Sequence, residues 1–354
     1  MSPFETLAQL ITFSLFSGPP PGPPVPSSTG ARVPPSAHYL FDESRRQAVT
    51  ALTYDALLKL PKEQRPPRSV LFHFLSMTQT IEGDNRRREE ALLAFHNEVL
   101  QPLGIPTVVV KGSAIASLYP QPLHRECGDN DLYTGTQASS PANNTHRLAN
   151  HLESIGIPVD RKDPRHISFT FHDVDFEAHN YLLYHHDDPL WKTHPTTLHP
   201  TLYTLHPSHQ AFFLAKHIEH HAVFFHNPVR LRDLVDWVML LRSPDFDLAV
   251  LRQLKSGTDV DIFAELMTLY CNKIFNLDLP CRVPESLVSD DFHTIYIQCP
   301  ERHPFALLRV ARRAGKYLRY WRKYKAIYGE SMFRRFYLHN LWVALWNWCK
   351  GVRV

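Results

Sequence analysis

Two aspartates separated by one residue, Asp129 and Asp131, and a later acid, Glu177, are the side chains in this sequence whose types and spacing can do chemistry. On an extended strand, residues i and i+2 share a face about 6–7 Å apart. Two carboxylates held that close repel each other unless a divalent cation sits between them. An all-oxygen donor set favours magnesium or manganese over zinc. Glu177, in the run VDFEAH, can bring a third carboxylate from an adjacent strand. Phosphoryl-type transfer needs such a set, because metal ions neutralise phosphate charge and align the attacking and leaving oxygens. Gly112 and Ser113 are the complement, a strand-to-helix turn whose backbone N–H groups can meet phosphate. Either motif alone is commonplace on solvated loops. The order of strand, Gly-Ser turn and paired aspartates is what gives them meaning together.

The elements that must position these residues can be read from periodicity. PTVVVKGS is a short β-branched run, predicted as a buried strand ending at Gly112, with a helix from Ala114 to Leu118. Asn130 to Tyr133 is a second strand, and Thr145 to Ile155 a helix closed by Gly156. His166–Phe171 and Val174–Tyr181 alternate as an antiparallel pair around His172-Asp173. Upstream, Phe4–Phe16 has apolar residues at helical spacing, and Phe41 to about Leu103 is helical with a break at KLPKEQRPP. Downstream of Pro207 the expected helices are Ser208–Phe225, Val229–Leu241, Phe246–Lys255, Val260–Phe275 and two C-terminal ones. The stretch GPPPGPPVPSSTGARVPP reads as an extended linker or loop, an SH3-type ligand being the sharper alternative.

The run VVVKGSAIASLYPQPLHRECGDNDLYTG resembles the signature of the uncharacterised nucleotidyltransferase family, within the DNA polymerase β-type superfamily. The resemblance implies that Lys111, Gly112 and Ser113 lie on the nucleotide-gripping turn and that Asp129 and Asp131 are metal ligands. Tyr119, Pro120, Pro122 and Arg125 match the turn between them, with Arg125 or Lys111 as charge partner of the nucleotide. FEAHNYLL is similar to the family's Glu-x-His strand, which makes Glu177 the third carboxylate and sets His179 beside it. FFLAKHIEHH and PVRLRDLVDW resemble its helical half, including Arg232 and Asp236. One departure is Asn130, where the family carries an apolar residue; a buried amide must find partners or cost roughly 1–3 kcal/mol.

The implied fold is α+β, a small mixed β-sheet core with N- and C-terminal helical regions. The expected layout is a helix over 1–17, a Pro-rich linker or loop over 18–37, a helical region over 38–104, the nucleotidyltransferase core over 105–206, a helical domain over 207–300 and basic aromatic helices over 301–354. The implied activity is transfer of a nucleoside monophosphate from a nucleoside triphosphate to a hydroxyl, with Mg2+ or Mn2+ as cofactor and release of pyrophosphate. The acceptor is open: a small molecule, a protein side chain or an RNA end. A contrasting reading is an inactive nucleotidyltransferase-like interaction protein that uses its C-terminal helix on membrane or RNA.

Other histidines have weaker meaning. His217, His220 and His221 lie at helical spacing with His226 nearby, a spacing that can bind zinc. Lining of the cleft by His217 or His221 is the competing expectation. Arg230, Arg232, Asp233 and Asp236 read as ion pairs and nucleotide contacts. The run His185–Asp188 and the His-Pro repeats at His194, His199 and His206 read as a solvated loop.

Composition fits these expectations. Of 354 residues, 44% are hydrophobic and 21% charged, as in a globular protein, and the net charge of +3 implies no polyanionic partner. From Arg302 onward, however, 13 Lys and Arg face one acid, Glu330. Arg309, Arg312, Arg313, Lys316, Arg319 and Lys323 trace one helical face, with Leu307, Val310, Ala311, Ala314, Leu318 and Trp321 on another. Packing on the domain, an anionic membrane surface and RNA all suit that stripe. Five scattered cysteines without a CxxC pair argue against a disulfide framework. The start MSPFETLAQLITFSLF has no basic region before its apolar run, and a cytoplasmic home is expected.

Overall fold

A computed structural model describes residues 2–19, 35–134, 141–182, 191–196, 201–223, 227–256, 260–282 and 292–297. The predicted C-terminal helices with their basic stripe, most of the Pro-rich stretch, His185–Asp188, His199 and His226 lie outside those residues. The described part is mixed α+β: ten α-helices and one six-stranded sheet. No described helix is long and apolar enough to cross a membrane.

Before the sheet come α1 (Pro3–Leu15), α2 (Pro35–Arg46), α3 (Thr50–Lys59) and the long α4 (Arg68–Phe95), which runs into a π-helical turn at His96–Leu100. The Pro-marked break falls between α3 and α4, because proline at Pro66 and Pro67 lacks the donor a continuing helix needs. The sheet consists of β1 (Val108–Val110), β2 (Asn130–Tyr133), β3 (His166–Phe171), β4 (Val174–His179), β5 (Thr193–Pro195) and β6 (Tyr203–Leu205), in the order β3-β4-β2-β1-β6-β5. The five-residue α5 (Gly112–Ala116) follows β1, and α6 (Pro141–Ser154) links β2 to β3. The helices α7 (Pro207–Val223), α8 (Leu231–Leu241), α9 (Leu248–Lys255) and α10 (Val260–Phe275) complete the order.

Strand alternation divides the sheet into two faces. Val109, Leu132, Phe169, Phe176 and Ala178 point to one, where they pack on Leu92 and Phe95 of α4 and on Leu148 and Leu152 of α6. Val108, Val110 and Tyr133 point to the other, into a core shared with α1, α3, α7, α8 and α10. The N-terminal helices and those after Pro207 therefore close over one half of the second face. The β2–β4–β3 half of that face keeps its polar residues. The hairpin between β3 and β4 turns on His172 and Asp173, at φ 48° and 58°. Two consecutive left-handed residues make the tight turn that matches strand twist. Gly156, at φ 85°, closes α6 as its C-terminal glycine.

Two expectations need correcting. The His-Pro segment is not all solvated loop: His194 lies in β5, and β6, ending just before His206, pairs in parallel with β1, with Leu205 buried in the core. Three-residue strands, one ending in proline, are too short to show alternation. The helix expected from Ala114 begins two residues earlier, at Gly112.

The segment between α5 and β2 is fastened on several sides. Asn85 of α4 donates to the carbonyls of Leu123 and Arg125 at 2.8 and 2.9 Å. The His124 imidazole lies between two carboxylates, Nδ1 2.7 Å from Asp55 and Nε2 2.8 Å from Glu82. The Asp55 hydrogen bond, aided by Glu82, raises the His124 pKa against its burial. A raised folded value means that the stabilisation is complete below the ordinary value of 6.5 and is lost as pH rises through the folded one. Urea unfolding from pH 6 to 9 should therefore show stability falling in the wild type more steeply than in His124→Gln; parallel curves would contradict the clasp.

Candidate active site

The local fold brings the three acids to one point. Asp131 pairs with Glu177 across the parallel β2–β4 ladder, so both side chains stand on the same face. β2 has the bounds expected of it, and Asp129 sits in the bend one residue before it, so strand alternation does not set its direction. One oxygen each from Asp129, Asp131 and Glu177 lies within 4.8 Å of the others. Asp131 is 2% exposed, so this crowding occurs out of bulk water.

A lysine and a histidine of the chain offset part of that repulsion. Lys111 Nζ is 2.8 Å from Asp131 Oδ1, and His179 Nε2 is 3.1 Å from the same oxygen and 3.4 Å from Glu177 Oε2. Burial pushes the Asp131 carboxyl up, but Lys111 and the His179 hydrogen bond outweigh it and hold the group at about 2. The His179 bond also lowers Glu177 against its burial. Asp129 receives less compensation: burial, then the Asp131 charge, push its carboxyl above the usual value. A carboxyl destabilised by its neighbours in this way is one that a further cation would relieve.

The turn after β1 aims Lys111 at the acids at a backbone cost. Lys111 has φ 53° and ψ −140°, a region that side chains rarely adopt and that costs on the order of 1–3 kcal/mol. Gly112 follows at φ 32°, and a Cβ there would stand 3.4 Å from the Asp129 carbonyl oxygen. The next side chain, Ser113, has a buried Oγ with no hydrogen-bond partner. An unpartnered buried hydroxyl two residues on from Lys111 is a group that a ligand oxygen would satisfy. Because α5 has only five residues, the turn and Lys111, more than a helix dipole, must supply any grip on phosphate.

Arg125 is placed elsewhere. Its Nε and a terminal nitrogen donate to the two oxygens of Asp236 at 2.8 and 2.7 Å, and Tyr119 donates to the same carboxylate at 2.6 Å. This buried fork ties the turn before β2 to α8. Arg232 donates to the Glu126 carbonyl at 3.2 Å and to Asp233 at 3.1 Å, bracing the same turn. Asn130, on the α4 face of β2, donates to the Arg88 carbonyl at 3.1 Å, which gives its amide nitrogen a partner.

His217 and His221, with rings 4.3 Å apart on α7, feel the acids' surroundings. Burial first, then the Lys111 charge, hold His217 far below its ordinary value and lower His221. Among the described residues, the α7 histidines form no three-ligand metal cluster. Sequence reasoning missed His166: its Nε2 lies 3.6 Å from Glu177 Oε1. The signal was present in HISFTF, whose alternation puts His166, Ser168 and Thr170 on the polar face. Beside the acids a groove of about 1150 Å3 runs from Asp129 and Glu177 along β3 and β4, past Ser168, Thr170 and Asp175.

Comparison with protein families matches residues 35–276 to a family described as uncharacterised nucleotidyltransferase. Comparison with curated proteins gave no match, and comparison with solved structures gave none.

The depressed Asp131 has a consequence for acid stability. A folded value of about 2 against an ordinary 3.8 stabilises the fold above pH 4 and is lost as pH falls toward 2. In EDTA, urea unfolding of the wild type should lose about 2 kcal/mol more between pH 4 and 2 than Asp131→Asn does. Equal losses would mean that Lys111 and His179 do not hold Asp131 ionised.

Proposed function

The chain belongs to the uncharacterised nucleotidyltransferase family, whose match covers more than half its length, and from that premise we propose that it moves a nucleoside monophosphate from a nucleoside triphosphate to a hydroxyl acceptor. The observation that carries the proposal is the convergence of one oxygen each from Asp129, Asp131 and Glu177 within 4.8 Å, with the Lys111 ammonium on Asp131. An all-carboxylate set fits magnesium or manganese. Held by Asp129, Asp131 and Glu177, such an ion would neutralise triphosphate charge and align the reacting oxygens.

The chain's own groups take the remaining roles. Ser113 donates its hydroxyl proton to a phosphate oxygen, and the Lys111 ammonium offsets the negative charge there. Arg125, already forked onto Asp236, holds the turn that sets Asp129 and leaves the phosphate to Lys111. The acceptor enters along the β3–β4 groove, which opens at Glu177. Its hydroxyl oxygen bonds to the α-phosphorus as the bond to the β-phosphate bridging oxygen breaks, and its proton passes to Glu177. Pyrophosphate leaves. Asn130 gives the inactive reading no support, since its amide nitrogen is bonded to the Arg88 carbonyl and the three carboxylates still converge.

Incubation with labelled ATP, GTP, CTP and UTP plus magnesium should label an acceptor, or the protein itself, and release pyrophosphate. Asp131→Asn keeps side-chain volume while removing a ligand charge. It should lower turnover by about 10^2–10^4-fold, the effect of losing several kcal/mol of charge stabilisation. Near-wild-type turnover by a folded Asp131→Asn would sink the assignment.

A further inference from the structure

Glu177 has two sets of neighbours. On one side it meets Asp129 and Asp131; on the other it meets two imidazoles, His166 of β3 and His179 of its own strand. His166 is the antiparallel partner of His179, at the open end of the β3–β4 hairpin, and Glu177 is two residues from His179 on the same face. That register brings His166 Nε2 to 3.6 Å from Glu177 Oε1 and His179 Nε2 to 3.4 Å from Glu177 Oε2, with the two rings 5.0 Å apart. One donor atom from each of the three lies within 4.8 Å of the others. The rings are 12% and 11% exposed and Glu177, which lines the groove, 31%, so the donors are shielded without being sealed off.

We infer that His166, Glu177 and His179 form a second metal position, distinct in taste from the carboxylate set, that takes a borderline transition ion such as zinc or cobalt. The argument is one of donor chemistry. Two imidazoles and one carboxylate with an open side are ligands that zinc and its neighbours accept and that magnesium does not seek. The carboxylate set offers oxygen alone and has the opposite preference. Both sets use Glu177, which either bridges two ions or is contested by them. When an ion takes His179 Nε2, Asp131 loses that hydrogen bond but keeps Lys111 at 2.8 Å, so the neighbouring acid is not left without a cation. The inference goes beyond transfer, because occupancy of this position is read without any turnover.

The test uses the full chain, Zn2+ in calorimetry and Co2+ in visible absorption. The wild type should bind Zn2+ and, with Co2+, show the absorption bands of nitrogen-ligated cobalt. His166→Gln should weaken Zn2+ binding at least tenfold and lose those bands at an unchanged melting temperature, whereas Asp129→Asn should keep both. His166→Cys, which restores a zinc ligand at the same place, should recover Zn2+ binding. Equal Zn2+ affinity in wild type and His166→Gln would overturn the site, as would no recovery in a folded His166→Cys. Failure of nucleotide transfer leaves these readouts untouched, so the two proposals fall separately.

Discussion

Three carboxylates placed within 4.8 Å of one another, one of them almost fully buried, set the constraint that the rest of the described structure answers. Left alone they would protonate or push apart. Instead Lys111 and His179 lie within 3.1 Å of one Asp131 oxygen, and Asp131 stays ionised. Compensation is uneven. Asp131 has the Lys111 ammonium and the His179 imidazole beside it, while Asp129 is pushed toward protonation by burial and by Asp131 itself. That imbalance gives the cluster its appetite for another positive charge, and it is the physical basis for assigning a divalent ion to these three acids.

Holding repelling groups together requires a rigid frame, and the frame is visible on each side. Beneath β2, Asn130 and the apolar residues of the sheet bind it to α4. Ahead of it, the turn from Tyr119 to Cys127 is bonded to α3 and α4 through His124 and Asn85 and to α8 through Arg125. The Arg125–Asp236 fork is buried, and breaking one partner of such a pair costs about 3–5 kcal/mol, since the other charge is left uncompensated. The strained Lys111 backbone belongs to the same account. It persists because β1 and the sheet core over-determine the turn, and it aims an ammonium group where the acids need it.

Much of this was legible in the residues. β1, β2 and the β3–β4 hairpin announce themselves by β-branched runs and strict alternation, and Asp131 and Glu177 fall on strands whose pairing places them on one face. β5 and β6 were hidden because each has three residues and their pairing is set by distant strands, not by local pattern. Arg125 was one of two residues, with Lys111, offered as charge partner of the nucleotide, and its bond to Asp236 was not legible: Asp236 lies 111 residues on, and no local rule joins them. His166 was missed for the opposite reason. Its alternation was plain, but its meaning depended on the register that sets it against His179. The family resemblance carried the identities of the acids. The fold supplied the partners that decide their charge.

The central claim is that these acids bind a nucleoside triphosphate only through a divalent cation, since phosphate cannot otherwise approach them. Calorimetric titration of the full chain with ATP, GTP, CTP and UTP, once with magnesium or manganese and once with EDTA, tests it most directly. The account predicts measurable affinity for at least one nucleotide with metal and a loss of at least tenfold without it. Equal affinity in both conditions would contradict it.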